Sequence, residues 1–391
     1  MSRDLKLISA SMLAWGLGEG IFLIFQPLYM QEFGATPVMI GTILGINGVM
    51  MTLFQIPAGY LADKIGIRPV LWFNWVFGVV ATWMMALAPS LGVFVGGLLL
   101  YGVTLSVMGP LNAYVQGVRG KWSIGRAISF SSAAYNFGGI LGPIIGGAVA
   151  ETFNLRTAYF VAGVIFTIST IIIFFTRDLP RTQEVPAPGE THLFRNKRFM
   201  GMLVIFFLVV FAITLPQPLA ANFLQNERSL PLNQIGQLGS LAALGSVLIM
   251  LIFGHLPAGM GMLIGQLSLM VFSAALWLGT SFFWYGLAFV FQGGFRLSRA
   301  MTVTLARPVV REREVSLAFG VVETFNSLAL IAAPVAAGFL YDWRPISIFP
   351  VGLAVLALTS ILTIRFTRRN GQHALAGDEI NGIENEVRDE A

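Results

Sequence analysis

The chain has 391 residues, of which 56% are hydrophobic and only 11% charged, and it contains no cysteine. Soluble domains carry about a quarter charged residues, so the main solvent of this surface is a lipid bilayer. The net charge of +5 does not mark a nucleic-acid partner, because the basic residues sit in short segments between apolar runs, and the missing thiols exclude disulfides, thiolate metal sites and cysteine nucleophiles.

A spanning helix needs about 20 mainly apolar residues, and by that rule about twelve runs qualify. They centre on Ala14, Gly48, Val80, Gly102, Gly138, Phe166, Val210, Leu244, Met270, Phe291, Ser327 and Val355. The first begins near Leu5 and continues past Gln26. That is too long for the core of a cleaved signal, so it is expected to stay as a helix. Twelve runs give an all-α membrane protein of two six-helix bundles, residues 1–176 and 199–369. Between them, residues 177–198 carry Pro180, Pro186, Pro188 and several charges and are expected to form a flexible linker. Residues 370–391 are polar and acidic and are expected to be a disordered tail. With the N-terminus in the cytoplasm, the cytoplasmic segments hold nearly all the Lys and Arg, and the outer loops hold Arg156, Arg228 and Arg344. The positive-inside bias therefore places both termini in the cytoplasm of a plasma membrane.

The runs carry their chemistry in chain order. In the first, Trp15, Glu19, Phe22 and Gln26 recur at helical spacing and share one face. A carboxylate at that depth costs about 2.5–3.5 kcal/mol on insertion scales and is a functional candidate by default. Its neighbours Trp15 and Phe22 suit a cationic or amphiphilic ligand. Between the second and third runs lies Gly59-Tyr60-Leu61-Ala62-Asp63-Lys64-Ile65-Gly66-Ile67-Arg68. Tyr101 and Asn112 are polar candidates on the fourth run, Asn136 on the fifth and Gln217 on the seventh. The fifth also holds Gly138, Gly142, Pro143, Gly146 and Gly147; glycines four apart let helix backbones approach closely. On the tenth run Gln292, Arg296 and Arg299 share a face. Glu323, on the eleventh, enters from the same side to a similar depth. The expectation is an Arg299–Glu323 pair, leaving Arg296 to the cavity or to Glu19. Asn47 and Asn326 are expected to serve helix packing.

The halves resemble each other. Gln26-Pro27-Leu28 recurs as Gln217-Pro218-Leu219, with 217 − 26 = 191. Pro143 and Gly147 match Pro334 and Gly338 at the same spacing, and Ile40-Gly41 recurs as Ile235-Gly236 after a longer loop. Such parallel repeats are expected where two halves rock about a midplane site.

The Gly59–Arg68 segment resembles the cytoplasmic loop motif of the major facilitator superfamily, with Gly59, Asp63, Lys64, Gly66 and Arg68 matching and Ile67 departing from it. The Gly138–Gly147 run resembles the motif of that superfamily's proton-coupled antiporters. The resemblance implies the twelve-helix fold, a monomer, and an Asp63 latch to the start of the eleventh helix near Ser316. Drug-efflux members often carry an arginine on the fourth helix. Here that position is Leu105, and its repeat position, 105 + 191 = 296, is Arg296.

The leading expectation is a secondary transporter of a small organic solute, exporting it in exchange for protons that bind and leave Glu19. Uptake or facilitated passage of an organic anion, sugar or other metabolite through the arginines of the tenth helix is the alternative. An enzyme is not expected: the chain has no His-Glu-x-x-His pair and no Walker loop. No cofactor or metal is expected either.

Overall fold

The computed structural model describes residues 1–178, 196–307, 310 and 315–366, and these are overwhelmingly helical. The first half contains α1 (Arg3–Leu23), α2 (Gln26–Glu32), α3 (Pro37–Ile65), α4 (Ile67–Ala86), α5 (Leu91–Thr104), α6 (Met108–Gly117), α7 (Ile124–Thr152) and α8 (Leu155–Phe174). The second contains α9 (Lys197–Thr214), α10 (Ala220–Arg228), α11 (Leu232–Phe253), α12 (Ala258–Leu278), α13 (Phe282–Gln292), α14 (Gly294–Ala306), α15 (Val315–Trp343) and α16 (348–366).

Among the described residues nine spans are long and apolar enough to cross a bilayer, and ten when α1 and α2, bent by 45°, are taken as one. The other two expected runs are broken helices, α9 with α10 and α13 with α14. The fourth run is interrupted as well, by a 3-10 turn at Leu105–Val107 between α5 and α6. The expected linker lies mostly, and the expected tail and the Ser316 side chain wholly, outside the described residues, as does the side chain of Asp63.

Helix starts follow local chemistry. Ser2, Thr36, Ser123 and Asn154 each accept a backbone N–H of the turn they open, heading α1, α3, α7 and α8. The glycine of the loop motif ends α3: Gly66 has φ +100°, a conformation glycine adopts without strain, and α4 begins at the next residue. Beyond it the Arg68 guanidinium stacks 4.0 Å from the Trp72 ring, and the Lys64 ammonium lies 5.8 Å from that of Tyr60.

Within the first half, α1 is clasped between α7 and α8, and within the second, α12 packs on α13 and α14. Two seams join the halves, α7 on α11 and α3 on α15. Both are built from the repeated residues. At one, a Cβ on Gly236 would strike the Pro143 carbonyl and come within 2.9 Å of the Gly147 Cα. At the other, a Cβ on Gly41 would strike the Pro334 carbonyl and come within 3.2 Å of the Gly338 Cα. The prolines sit inside α7 and α15, where each removes one backbone donor, and the glycines admit the facing backbone.

Candidate functional site

Small residues decide where the first carboxylate sits. Gly16 and Gly20 of α1 face α7 so closely that a Cβ on Gly16 would meet the Tyr135 backbone and one on Gly20 would lie 2.9 Å from Pro143. Gly138, Gly142 and Gly146 press back against the α1 backbone; a Cβ on Gly142 would be 2.7 Å from the Gly20 Cα. This crossing carries Glu19 to Tyr135, whose hydroxyl donates to Glu19 Oε2 at 2.7 Å. The Tyr101 hydroxyl faces the same carboxylate without completing a hydrogen bond. Glu19 is 7% exposed.

The next residue of α7 reaches the other half. Asn136 Oδ1 accepts from the Arg296 guanidinium of α14 at 3.0 Å. Arg296 is exposed and, unlike Arg299, forms no ion pair among the described residues. Two adjacent side chains of one helix thus hold an acid of the first half and a base of the second. Asn136 lies about 18 Å along the helix from the start of α7 at Ile124 and about 24 Å from its end at Thr152, which places it near the middle of a hydrocarbon core of about 30 Å.

These groups line a cavity of about 510 Å³ between the halves. Gln26 and Gln217, the repeated glutamines at the two helix breaks, line it too, with Gln292. Gln292 Nε2 donates to Gln217 Oε1 at 2.9 Å, and Gln217 in turn donates to the Ile213 carbonyl. The volume is that of a pocket for a drug-sized organic molecule.

Other expected residues lie elsewhere. Trp15 and Phe22 turn into the core of the first half: Trp15 packs 4.9 Å from Trp75 and 4.5 Å from Phe166, and Phe22 packs 5.2 Å from Tyr101 and from Tyr159, centroid to centroid. The aromatic flank foreseen around Glu19 in the cavity is therefore a buried stack. Tyr101 is buried with them, and Asn112 is exposed on α6, away from the cavity. Arg299 and Glu323 pair with each other beside it, joined by Asn326, whose Nδ2 donates to Thr302 at 3.0 Å and to Glu323 at 3.3 Å. Tyr135 was not among the residues singled out from the sequence, where an uncharged ring in an apolar run carries no signal of its rotation.

At one end the cavity is shut. Asn222 of α10 donates to Gln31 of α2 at 2.6 Å, and Asn226 donates to the same oxygen at 3.0 Å. Glu151, at the end of α7, accepts the backbone N–H of Leu232 at 2.7 Å, capping the start of α11. Both seams lie on this side: Gly147 faces Leu232–Gly236, and Gly338 faces Pro37 and Val38.

Comparison with known proteins gives a consistent picture. The family model described as Major Facilitator Superfamily matches residues 8–261 and 202–380. An MFS-type transporter of Methanocaldococcus jannaschii is 22% identical over 350 residues, 83% of this chain and 88% of the relative. Multidrug resistance protein 1 of Bacillus subtilis is 21% identical over 361 residues, 89% of this chain and 92% of the relative. Among solved structures, a mutant of the nucleoside transporter NupG superposes with a TM-score of 0.82 at 14% identity, covering 93% of this chain and 99% of that one.

Proposed function

The chain belongs to the Major Facilitator Superfamily and is a transporter rather than an enzyme, and on that premise we propose that it exports a small organic solute across the cytoplasmic membrane in exchange for protons. The observation that carries this reading is Glu19: a carboxylate inside the membrane, lining a cavity between two halves and held by one neutral hydroxyl. A carboxylate so placed takes up a proton or a ligand cation, and the two compete for it. Competition at one site is what exchange requires. The similarity to a multidrug resistance protein supports export.

Alternating access supplies the movement. The shut end, with α2, α10 and the two glycine seams, is the end that the distribution of Lys and Arg assigns to the outside. The conformation described is then open to the cytoplasm, with the outer end closed. Releasing Glu151 from α11 and parting the seams would reverse it.

Expression in an efflux-deficient bacterium tests the proposal. Wild type and Glu19→Gln, at equal membrane levels, are compared for growth against a broad panel of toxic amphiphiles. Resistance given by wild type and lost in the variant is the expected result. Resistance undiminished in Glu19→Gln would sink the assigned role of the carboxylate.

The exposed guanidinium of Arg296 favours a second reading, uptake of an organic anion. Under that reading Arg296→Lys weakens anionic ligands far more than neutral ones, because a lysine loses the two-pronged contact with a carboxylate.

A further inference from the structure

We infer that the ligand of this cavity is amphoteric, carrying a protonated amine and an acidic group on one small apolar frame. The inference rests on reading the cavity as the transport site. It starts from two charges of opposite sign that face the same cavity and do not pair. Glu19 belongs to the first half and Arg296 to the second. In a water-poor interior such groups attract strongly, and long side chains usually close on each other. Here each is anchored instead by a neutral partner, Glu19 by the Tyr135 hydroxyl at 2.7 Å and Arg296 by the Asn136 carbonyl oxygen at 3.0 Å.

The anchors are adjacent residues of α7, so they fix the spacing between acid and base. Neither anchor exhausts its charge. A carboxylate has about four acceptor positions and a guanidinium five N–H donors, and the hydrogen bonds found here are one to Tyr135 and one to Asn136. The second charged pair provides the contrast. Arg299 and Glu323 sit on neighbouring helices of one half, close directly on each other, and lie outside the cavity lining. The protein thus forms an ion pair where nothing has to enter and holds one open where the halves meet.

A purely anionic ligand would answer Arg296 and leave Glu19, whenever it has released its proton, facing it with like charge. A purely cationic one would leave the exposed guanidinium facing it. An amphoteric ligand satisfies both walls, its acid on Arg296 in two-pronged fashion and its ammonium on Glu19. The amides of Gln217, Gln292 and Gln26 and the remaining apolar wall take up the frame. Such a ligand bridges the halves and keeps the competition between proton and substrate at Glu19, because its ammonium and the proton occupy the same oxygen atoms.

The test is equilibrium binding to the purified full chain in detergent, measured by calorimetry. The probes are 4-(aminomethyl)benzoate and 4-(2-aminoethyl)benzoate, each with its methyl ester and with the analogue bearing a methyl in place of the amine. For wild type, one or both amphoteric probes should bind at least about tenfold more tightly than their singly charged analogues, as for a charged hydrogen bond gained at each end. Arg296→Gln should abolish the preference for free acid over ester, and Glu19→Gln the preference for amine over methyl. A singly charged analogue binding wild type as tightly as its amphoteric parent would overturn the inference, as would no binding by either amphoteric probe at millimolar concentration. The wild-type ranking decides even where a variant fails to fold. Binding here needs no gradient and no coupling, so a protein that binds these probes but exchanges no protons overturns the proposed export and leaves the ligand class intact.

Discussion

Adding one methyl group at Gly147 should loosen the outer closure. A Cβ there would lie 2.8 Å from the Leu232 carbonyl oxygen, 3.0 Å from the Gly236 Cα and 3.1 Å from the Asn233 Cα. All three are backbone atoms of α11 and cannot turn aside, so Gly147→Ala forces the seam apart by several tenths of an ångström. Overpacking of this kind costs about 1–3 kcal/mol. The cost falls on the closed outer end and vanishes once α7 and α11 separate there. Taking about 2 kcal/mol, the balance between the two conformations shifts roughly 30-fold toward the one open to the outside. The chain has no native cysteine, so a single reporter thiol reads the change without background. Ala221 is 6% exposed and lines the cavity beneath the Asn222–Gln31 contact. In intact cells, Ala221→Cys should react slowly with a membrane-impermeant thiol reagent, and adding Gly147→Ala should speed labelling by roughly that factor. Equal labelling rates in the two backgrounds, at equal protein levels, would refute the argument that the glycine seam holds the outer end shut.

Other substitutions separate function from scaffold. Tyr135→Phe removes the hydroxyl on Glu19 and keeps the ring; loss of a hydrogen bond to a charged group, about 1.5–3 kcal/mol, should lower solute flux into proteoliposomes at least about tenfold at equal amounts of reconstituted protein. Gln266 is fully buried and binds Thr359, Ser360 and Thr363 across α12 and α16 at 3.0–3.1 Å. Gln266→Leu should therefore destabilise the second half by about 1–3 kcal/mol, seen as a lower melting temperature in detergent, with no change in ligand preference. Arg299 and Glu323 close on each other across α14 and α15. Exchanging the two in the double variant Arg299→Glu, Glu323→Arg should restore transport lost in either single reversal, which a growth assay with the same toxic solute reads directly.

Much of this was legible in the sequence, because bilayer physics is coarse and the repeats keep nearly the same register. The spacing of 191 paired Pro143 and Gly147 with Pro334 and Gly338, and the same residues build the two seams between the halves. It also paired Gln26 with Gln217, and both stand at helix breaks lining the cavity. Depth alone indicated Glu19, Asn136 and Arg296. Rotation was not legible. Trp15 and Phe22 share a helical stripe with Glu19, but α1 is clasped by α7 and α8, and the edges of the stripe fall into the aromatic core. The bend between α1 and α2 then swings Gln26 back to the cavity. Tyr135 went unnoticed for the same reason: only the close α1–α7 crossing, set by five glycines, shows that its hydroxyl meets the carboxylate. The break inside the fourth run gave no sign either, since Leu105–Val107 has no proline or glycine to announce a change of helix.

Proteoliposomes holding the wild type and an acidic interior, reported by a trapped pH dye, test whether protons are exchanged for solute at Glu19. Adding a solute identified in the growth panel should collapse the gradient in wild-type vesicles and leave it standing with Glu19→Gln. A gradient that collapses equally with the variant, or that no solute disturbs in the wild type although the solute itself crosses, would rule out proton exchange at Glu19.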